Sequence, residues 1–249
     1  MEQTIRVERV DAIQRVTIDR VQKKNALNLA MYEALTAAFV EAERDDSLRV
    51  VYWSGAGGCF TAGNDLADFA NPDADLSAVL TFLDTLARFS KPIVVAVDGL
   101  AIGIGTTALL HADLVYASDR ARFKLPFVDL GLVPEAGSSL ILPAAMGHAK
   151  AARWLLLGEL FGAADAEAHG VVGQVLPADA LEATAWKAAQ ALAAKPPEAL
   201  VKSKALMRRW PAETVKTVMR SEAEIFEACL KGPEARAAFA VFFSRGRRG

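Results

Sequence analysis

The chain has 249 residues, of which 53% are hydrophobic and 23% charged, a composition that suits a globular protein with a large core and excludes a disordered chain. Its formal net charge is −2, and its one basic cluster, SRGRRG, lies at the extreme C-terminus, so no nucleic-acid binding is expected. No apolar run approaches the ~18 residues of a membrane-spanning helix, so no membrane contact is expected either.

The N-terminus and the cysteines together predict a cytoplasmic protein. The first residues, MEQTIRVERVD, carry charges where an export signal would need an apolar run. Cys59 and Cys229 lie far apart, without the spacing of a disulfide framework or a zinc site. No bound metal is expected.

Strands and helices alternate over the first part of the chain. Apolar and polar residues alternate about Asp11 in TIRVERVDAIQRVTIDR, which predicts a hairpin. Helical spacing follows in LAMYEALTAAFVEAERD, and one face of that helix would carry Met31, Leu35, Phe39 and Ala42. Buried strands are predicted in VVYWSG and PIVVAVDG, with a helix in LSAVLTFLDTLARFS between them. A glycine-led helix reaching Asp113 and a strand in LVYASD complete a third cycle, so an α/β fold is predicted.

Beyond Pro177 only helices are predicted. Each of three stretches begins near a proline suited to a helix start: LEATAWKAAQALAA, PEALVKSKALMRRW and PAETVKTVMRSEAEIFEACL. We therefore divide the chain into a core of residues 1–176 and a C-terminal helical region of residues 177–249. The last of these helices has an apolar stripe typical of packing, within the subunit or between subunits, at Val215, Val218, Ile225, Phe226 and Leu230.

A glycine-rich helix start occurs in IGIGTTALLHAD. Gly103 and Gly105 let the backbone turn sharply, and the first turn of a helix has N–H groups without an intrahelical partner. The N–H of Ile104 could therefore point at a developing negative oxygen, as half of an oxyanion hole. The motif is also explained by a helix that packs closely on the sheet. A dinucleotide fingerprint does not fit, because Leu109 occupies the region of the required third glycine.

A second donor is predicted in CFTAGNDLADF. Ala62 and Gly63 are small, and Asn64 tolerates unusual backbone angles, so its N–H could converge with that of Ile104. The alternative is a simple turn in which Asp65 caps a short helix.

Taken together, these motifs resemble the crotonase, or enoyl-CoA hydratase/isomerase, superfamily. The resemblance runs through RVQKKNALNLAM, GGCFTAGNDLADF, KPIVVAVDGLAIGIGTTALLHADLVYASDRARFKLPFVDLGLVPEAGSS and the helical tail. It implies a spiral of ββα units, a C-terminal helical region that forms trimers, and an oxyanion hole for an acyl-CoA thioester. In this family the donors correspond to the backbone N–H groups of Asn64 and Ile104. A homotrimer or a hexamer made of two trimers is expected.

The resemblance also implies the path of the CoA moiety. The adenine and pantetheine would lie along Lys24, Ala26, Ala62, Asp65 and Leu66. For Lys24, a solvated loop lysine is an equally good interpretation.

Two acids that the family's hydratases use to activate water are missing. Their positions hold Thr107 and Phe127, so water activation is not expected there. Phe127 would place an aromatic wall against the substrate instead. Thr107 offers only a hydroxyl of unsuitable pKa, and a hydrogen bond back to its own helix is the simpler role.

One acid remains in this part of the sequence, Glu135 in GLVPEAGSS. Small residues follow it, and apolar neighbours would raise its pKa toward that of a working base. A lone Pro-Glu pair is usually an exposed loop, but peroxisomal-type Δ3,Δ2-enoyl-CoA isomerases carry their single catalytic glutamate in a matching position. One base suffices for an isomerase, because it can take a proton from C2 of a 3-enoyl thioester and return one to C4.

The sequence therefore predicts an enoyl-CoA isomerase with no cofactor, since CoA belongs to the substrate. A hydratase or another crotonase-type reaction is the first alternative, and a non-catalytic acyl-CoA-binding scaffold is the second. His111 is better explained as a hydrogen-bonded core residue than as a base, and Asp129 as a capping or solvated residue.

Overall fold

A six-stranded sheet, parallel except at one edge, lies at the centre of the fold. The computed structural model describes residues 4–70, 75–208 and 212–246. Within these residues the strands are β1 (Ile5–Val10), β2 (Ile13–Ile18), β3 (Val50–Gly55), β4 (Ile93–Val97), β5 (Leu100–Ile102), β6 (Leu114–Ser118), β7 (Arg122–Lys124), β8 (Phe161–Gly162) and β9 (Gln174–Leu176). The large sheet has the order β1-β2-β3-β4-β6-β9, and the others form a small sheet in the order β5-β7-β8.

Helices cover both faces of the large sheet. In chain order they are α1 (Leu29–Arg44), α2 (Leu66–Phe69), α3 (Ser77–Arg88), α4 (Ile104–Thr107), α5 (Ser138–Met146), α6 (His148–Leu155), α7 (Ala163–Ala168), α8 (Ala178–Ala193), α9 (Pro197–Met207), α10 (Ala212–Leu230) and α11 (Pro233–Gly246). None of them, in the part of the chain described, is both long and apolar enough to cross a membrane.

The first strands and helix form as the sequence predicts. β1 and β2 are antiparallel and joined at Asp11, whose φ of 53° lies in the left-handed region that tight hairpins require. Asn28 begins α1 by accepting a hydrogen bond from the N–H of Met31 at 2.9 Å. The four apolar residues predicted to share one face of α1 are all buried, which confirms the predicted spacing.

Strand β3 shows why the sheet needs helices on both sides. Val51 and Trp53 belong to the larger core, between the sheet, α1 and α3. Val50 and Tyr52 point the other way, into a smaller core that contains Ala185 and its neighbours on α8. Because a strand alternates its side chains, burial on both faces produces the unbroken apolar runs seen in β3 and β4.

The α/β prediction is confirmed, with differences at the ends of elements. The glycine-led helix does not reach Asp113: α4 ends at Thr107 and is followed by a 3-10 helix over Ala108–His111. In the predicted stripe of α10, Ile225 is 50% exposed, whereas Phe226 and Leu230 are buried. Helix α11 lies beyond the predicted helices, because the small residues of its first half, PEARAAFA, give little periodic signal.

The last strand ends at Leu176, and the described residues beyond it form helices. These helices are parts of the main structure rather than a detached tail. α8 covers the second face of the sheet, and α10 packs against α3 and α5. Helix α9 is tied to the core by the ammonium of Lys204, which is buried and lies 2.7 Å from the carboxylate of Asp113.

Candidate active site

Glu135 borders a large cavity between α3, α9 and α10. The cavity has a volume of about 850 Å³, which is toward the upper end of the range for small-molecule pockets. Its apolar lining comes from α3, from the residue before α3 and from α10. These residues are Leu76, Val79, Leu83, Met219, Phe226 and Leu230. Glu135 therefore borders a space suited to an apolar ligand.

The environment of Glu135 favours its neutral form. The residue is 7% exposed, and burial, followed by the negative charge of Glu222, raises its pKa from 4.5 to about 8. The hydroxyl of Thr107 acts in the opposite direction. Among the described residues, Oε1 of Glu135 has no hydrogen-bond partner. A buried carboxyl with a free oxygen and a pKa near 8 can exchange protons with a ligand near neutral pH.

The predicted donor at Asn64 has an unpaired backbone N–H. Residues 27 and 64 form a parallel bridge in which Leu27 donates to the carbonyl of Gly63 and Asp65 donates to the carbonyl of Leu27, both at 2.8 Å. This pattern bypasses the N–H of Asn64, which donates to no other group within the described residues. It is therefore available to a ligand.

The predicted donor at Ile104 is available for a different reason. Ile104 is the first residue of α4, so its N–H has no intrahelical acceptor. Gly103 precedes it with a φ of 55° and accepts hydrogen bonds from the N–H groups of Thr106 and Thr107. Among the described residues no group accepts a hydrogen bond from the N–H of Ile104.

Two glycines bring these donor segments into contact. A methyl group added to Gly63 would lie 2.8 Å from the carbonyl oxygen of Ile102, and Gly63 has a φ of 91°. A methyl group added to Gly105 would lie 2.5 Å from a side-chain carbon of Thr61. Only glycine permits contacts this close. Through them, the loop that contains Asn64 packs directly on the start of α4.

Sequence reasoning missed Tyr32, which connects the two halves of the site. Its hydroxyl donates a hydrogen bond to the side-chain oxygen of Asn64. Burial, and after it the charge of Glu135, raise the pKa of Tyr32 well above its usual value. Tyr32 is thus close to both predicted functional groups. The available signal was its hydroxyl on the otherwise apolar face of α1.

The residues predicted to line the CoA path are brought together beside Asn64. The N–H of Ala62 donates to the carbonyl of Lys24 at 2.9 Å, and Ala26 lies two residues further along the same loop. Leu66 is the first residue of α2 and is half-buried. The carboxylate of Asp65 has structural partners. It lies 2.7 Å from the guanidinium of Arg20 and caps α2, as the simpler interpretation predicted.

Other candidates lie at the edge of the site or outside it. Phe127 is buried in the main core and does not line the cavity that Glu135 borders, so its role as an aromatic wall stays a prediction. Asp129 is half-exposed and pairs with Lys124 at 2.8 Å, as expected of a solvated residue. The hydroxyl of Thr107 donates to the carbonyl of Gly103 at 3.4 Å, the bond back to its own helix that was predicted.

His111 is a partly buried, hydrogen-bonded residue, in keeping with the predicted hydrogen-bonded role. Burial lowers its pKa to about 4, so the ring is neutral at physiological pH. Its Nε2 lies 2.8 Å from the carbonyl oxygen of Ala136, which makes that nitrogen the donor. His111 therefore supports the residue that follows Glu135.

Comparison with known proteins gives a consistent result. The family model described as enoyl-CoA hydratase/isomerase matches residues 8–247. The chain is 37% identical over 241 residues to enoyl-CoA delta isomerase 2 of Rattus norvegicus, a match that covers 94% of this chain. It spans only 61% of the length of that relative.

Solved structures agree over nearly the whole chain. The structure of Pseudomonas aeruginosa OdaA is 44% identical, with a TM-score of 0.93, and the match covers 97% of this chain and 99% of the other. An enoyl-CoA hydratase/isomerase from Pseudoalteromonas atlantica is 41% identical, with a TM-score of 0.93 and 98% coverage of both chains. These structures confirm the predicted crotonase-like fold.

Proposed function

Because the chain belongs to the enoyl-CoA hydratase/isomerase family, we propose that it moves the double bond of a 3-enoyl-CoA thioester to the 2-trans position. Relatives of this kind support a reaction on a CoA thioester, and enoyl-CoA delta isomerase 2 supports the isomerase among the alternatives. The observation that carries the proposal is the buried carboxyl of Glu135, which has an oxygen without a hydrogen-bond partner, in a residue that borders an apolar cavity.

In the proposed reaction Glu135 carries the proton in both directions. Its carboxylate takes a proton from C2, the electrons move toward the thioester oxygen, and the double bond shifts as the resulting acid returns a proton to C4. A pKa of about 8 suits both steps, because the carboxyl holds a proton firmly enough to take it and loosely enough to return it.

The backbone N–H groups of Asn64 and Ile104 stabilise the negative thioester oxygen in this proposal. Both amides are free of other acceptors among the described residues. One donor of this kind contributes about 3 kcal/mol to transition-state stability in other enzymes. Because the donors belong to the backbone, their positions depend on Gly63 and Gly105, which allow the two segments to meet.

The substrate would lie across the site. The acyl chain would enter the cavity lined by α3 and α10, and the CoA moiety would follow the surface near Lys24, Ala26, Ala62 and Leu66. Phe127 would support the acyl end from within the core. The step requires only proton transfer, so we propose no metal and no cofactor beyond the CoA of the substrate.

Assembly into a homotrimer or a hexamer of two trimers is part of the proposal. Several large apolar side chains are exposed on the isolated chain, among them Leu156, Leu157 and Leu160 near the end of α6, Leu206 and Met207 at the end of α9, and Phe242 and Phe243 on α11. Surfaces of this kind are normally covered by a partner. We propose the cytoplasm as the compartment, consistent with two free cysteines, Cys59 and Cys229.

The deciding experiment compares substrates and a single variant. The purified protein is assayed with 3-enoyl-CoA and 2-enoyl-CoA thioesters, alongside Glu135→Gln. We expect isomerisation of the 3-enoyl thioester, negligible water addition, and a loss of at least ~10²-fold in kcat for the variant with CoA-ester affinity within a few-fold. Strong hydration would favour the hydratase, and binding without turnover the scaffold. An active Glu135→Gln would refute the single-base mechanism.

A further inference from the structure

A carboxylate from the C-terminal region holds the loop that carries Glu135. Glu222, on α10, is 7% exposed. One of its oxygens accepts the N–H of Gly137 at 2.7 Å, and the other accepts the N–H of Ser139 at 3.0 Å and also the hydroxyl of Ser139. Three donors from the loop therefore converge on a single side chain.

The loop that Glu222 holds has an unusual backbone. Ala136, directly after Glu135, has a φ of 59°, and Gly137 has a φ of 75°. An alanine in the left-handed region is strained and persists only where its surroundings enforce it. His111 contributes through its bond to the carbonyl of Ala136, and Ser138 donates to the carbonyl of Glu135 at 2.6 Å. Glu222 contributes three more bonds.

The chemistry at this position requires a glutamate. An ionised carboxylate only accepts hydrogen bonds, and here both of its oxygens receive backbone N–H groups. Glutamine would turn an NH₂ group toward one of these donors, and aspartate would be too short to reach both. The negative charge also lies at the N-terminus of α5, where the helix dipole favours it.

We propose that Glu222 is a positioning residue of the active site, which fixes the backbone that carries Glu135 and places a negative charge beside the acid. This inference rests on the proposed role of Glu135. A purely structural interpretation would make Glu222 only the cap of α5. The two differ because Glu222 also lines the cavity and acts on Glu135 through its charge.

The effect of the Glu222 charge on Glu135 can be distinguished from that of the other titratable groups nearby. Tyr32 of α1 interacts with Glu135 and its own pKa is raised, so it is neutral. His111 is neutral as well, and the cations Lys204 and Arg208, on and just after α9, line the same cavity. The charge that acts to raise the pKa of Glu135 is that of Glu222. Neutralising it should therefore lower that pKa.

The test uses Glu222→Gln, Glu222→Asp and the matched control Glu224→Gln, which removes an exposed carboxylate two residues away on the same helix. Values of kcat and KM for a 3-enoyl-CoA are measured across the pH range of activity. We expect Glu222→Gln to lower kcat by ~10-fold to ~100-fold, with KM within a few-fold, and to shift the half-maximal pH of kcat/KM downward. Glu222→Asp keeps the charge, so its kcat should fall with less change in the pH profile. Glu224→Gln should match the wild type.

Two results would overturn the inference. One is wild-type kcat and pH dependence in both Glu222 variants. The other is a loss of activity in proportion to the loss of folded protein, measured by circular dichroism, while the pH profile stays unchanged. In that case Glu222 would serve only as the cap of α5.

Glu135→Gln, measured in parallel, separates this inference from the proposed function. An active Glu135→Gln refutes the function, whereas an inactive one beside normal Glu222 variants refutes only the inference. If the wild type does not isomerise 3-enoyl-CoA, the pKa of Glu135 is read by NMR titration of protein labelled with ¹³C at glutamate carboxyls, using Glu135→Gln for assignment. A lower pKa in Glu222→Gln would then support the inference, and an unchanged one would overturn it.

Discussion

Replacing Glu135 by glutamine should make the protein more stable at alkaline pH while it removes activity. The pKa of this carboxyl is 4.5 when exposed and about 8 in the folded protein, chiefly because of burial. Since the folded state binds the proton more tightly, the free energy of unfolding falls as the pH rises between these two values. Their difference is about 3.5, and each whole unit corresponds to about 1.4 kcal/mol, so the full effect is about 5 kcal/mol. Glutamine has the same shape and no charge, so the variant avoids this loss.

The measurement is the free energy of unfolding in denaturant for both proteins at a series of pH values, at one protein concentration because assembly affects stability. The advantage of Glu135→Gln should be small near pH 5, grow by about 1.4 kcal/mol per pH unit, and level off above about pH 8. Glu224→Gln, which removes an exposed carboxylate, should show no such slope. If the difference in free energy of unfolding between Glu135→Gln and wild type stays constant over this range, the pKa of Glu135 is not raised by folding, and the reasoning is refuted.

Three further outcomes follow from the site. The kcat/KM for a 3-enoyl-CoA should rise with pH and reach half its maximum near pH 8, because Glu135 must be ionised to take the proton. A kcat/KM that no longer changes above pH 6 would contradict this. Gly63→Ala would press a methyl group against the carbonyl of Ile102 and should lower kcat by ~10-fold or more. The control Gly147→Ala, at a residue with a φ of 82° and free space around it, should reduce stability only. Equal kcat values in the two variants would show that the close contact between Gly63 and Ile102 does not matter for catalysis. Val79→Phe should reduce kcat/KM for long acyl chains more than for short ones, because it fills the cavity; a uniform effect would place the acyl chain elsewhere.

The fold could be predicted well where it depends on local patterns. The hairpin at Asp11, the buried face of α1 and the doubly covered strands follow from periodicity and burial, which neighbouring residues determine. The helix after Gly103 was predicted too long, since its sequence allows an α-helix but the structure tightens it to a 3-10 turn before the chain enters β6.

The site divides in the same way. Asn64, Ile104 and Glu135 carry local signals, in the form of glycines, small residues and a lone acid in an apolar loop. Tyr32 offers only the weak signal of a hydroxyl on an apolar helix face, and Glu222 offers none, because both make their contacts with segments distant in the chain: Tyr32 with residue 64, and Glu222 with a loop 85 residues earlier. A glutamate within an amphipathic helix looks like any solvated residue until the loop that it holds is known.

The hydrogen bond between Glu222 and Gly137 also bears on the order in which the parts of the site are synthesised. The two residues proposed to present backbone amides to the thioester, Asn64 and Ile104, lie in the first half of the chain, and Glu222 is synthesised much later. The loop that carries the acid, by contrast, gains its last three hydrogen bonds only after α10 has left the ribosome. A chain that ended before α10 would contain the proposed amide donors and Glu135 but would lack the side chain that holds the loop of Glu135, so in the proposed mechanism the site is complete only once α10 has been made.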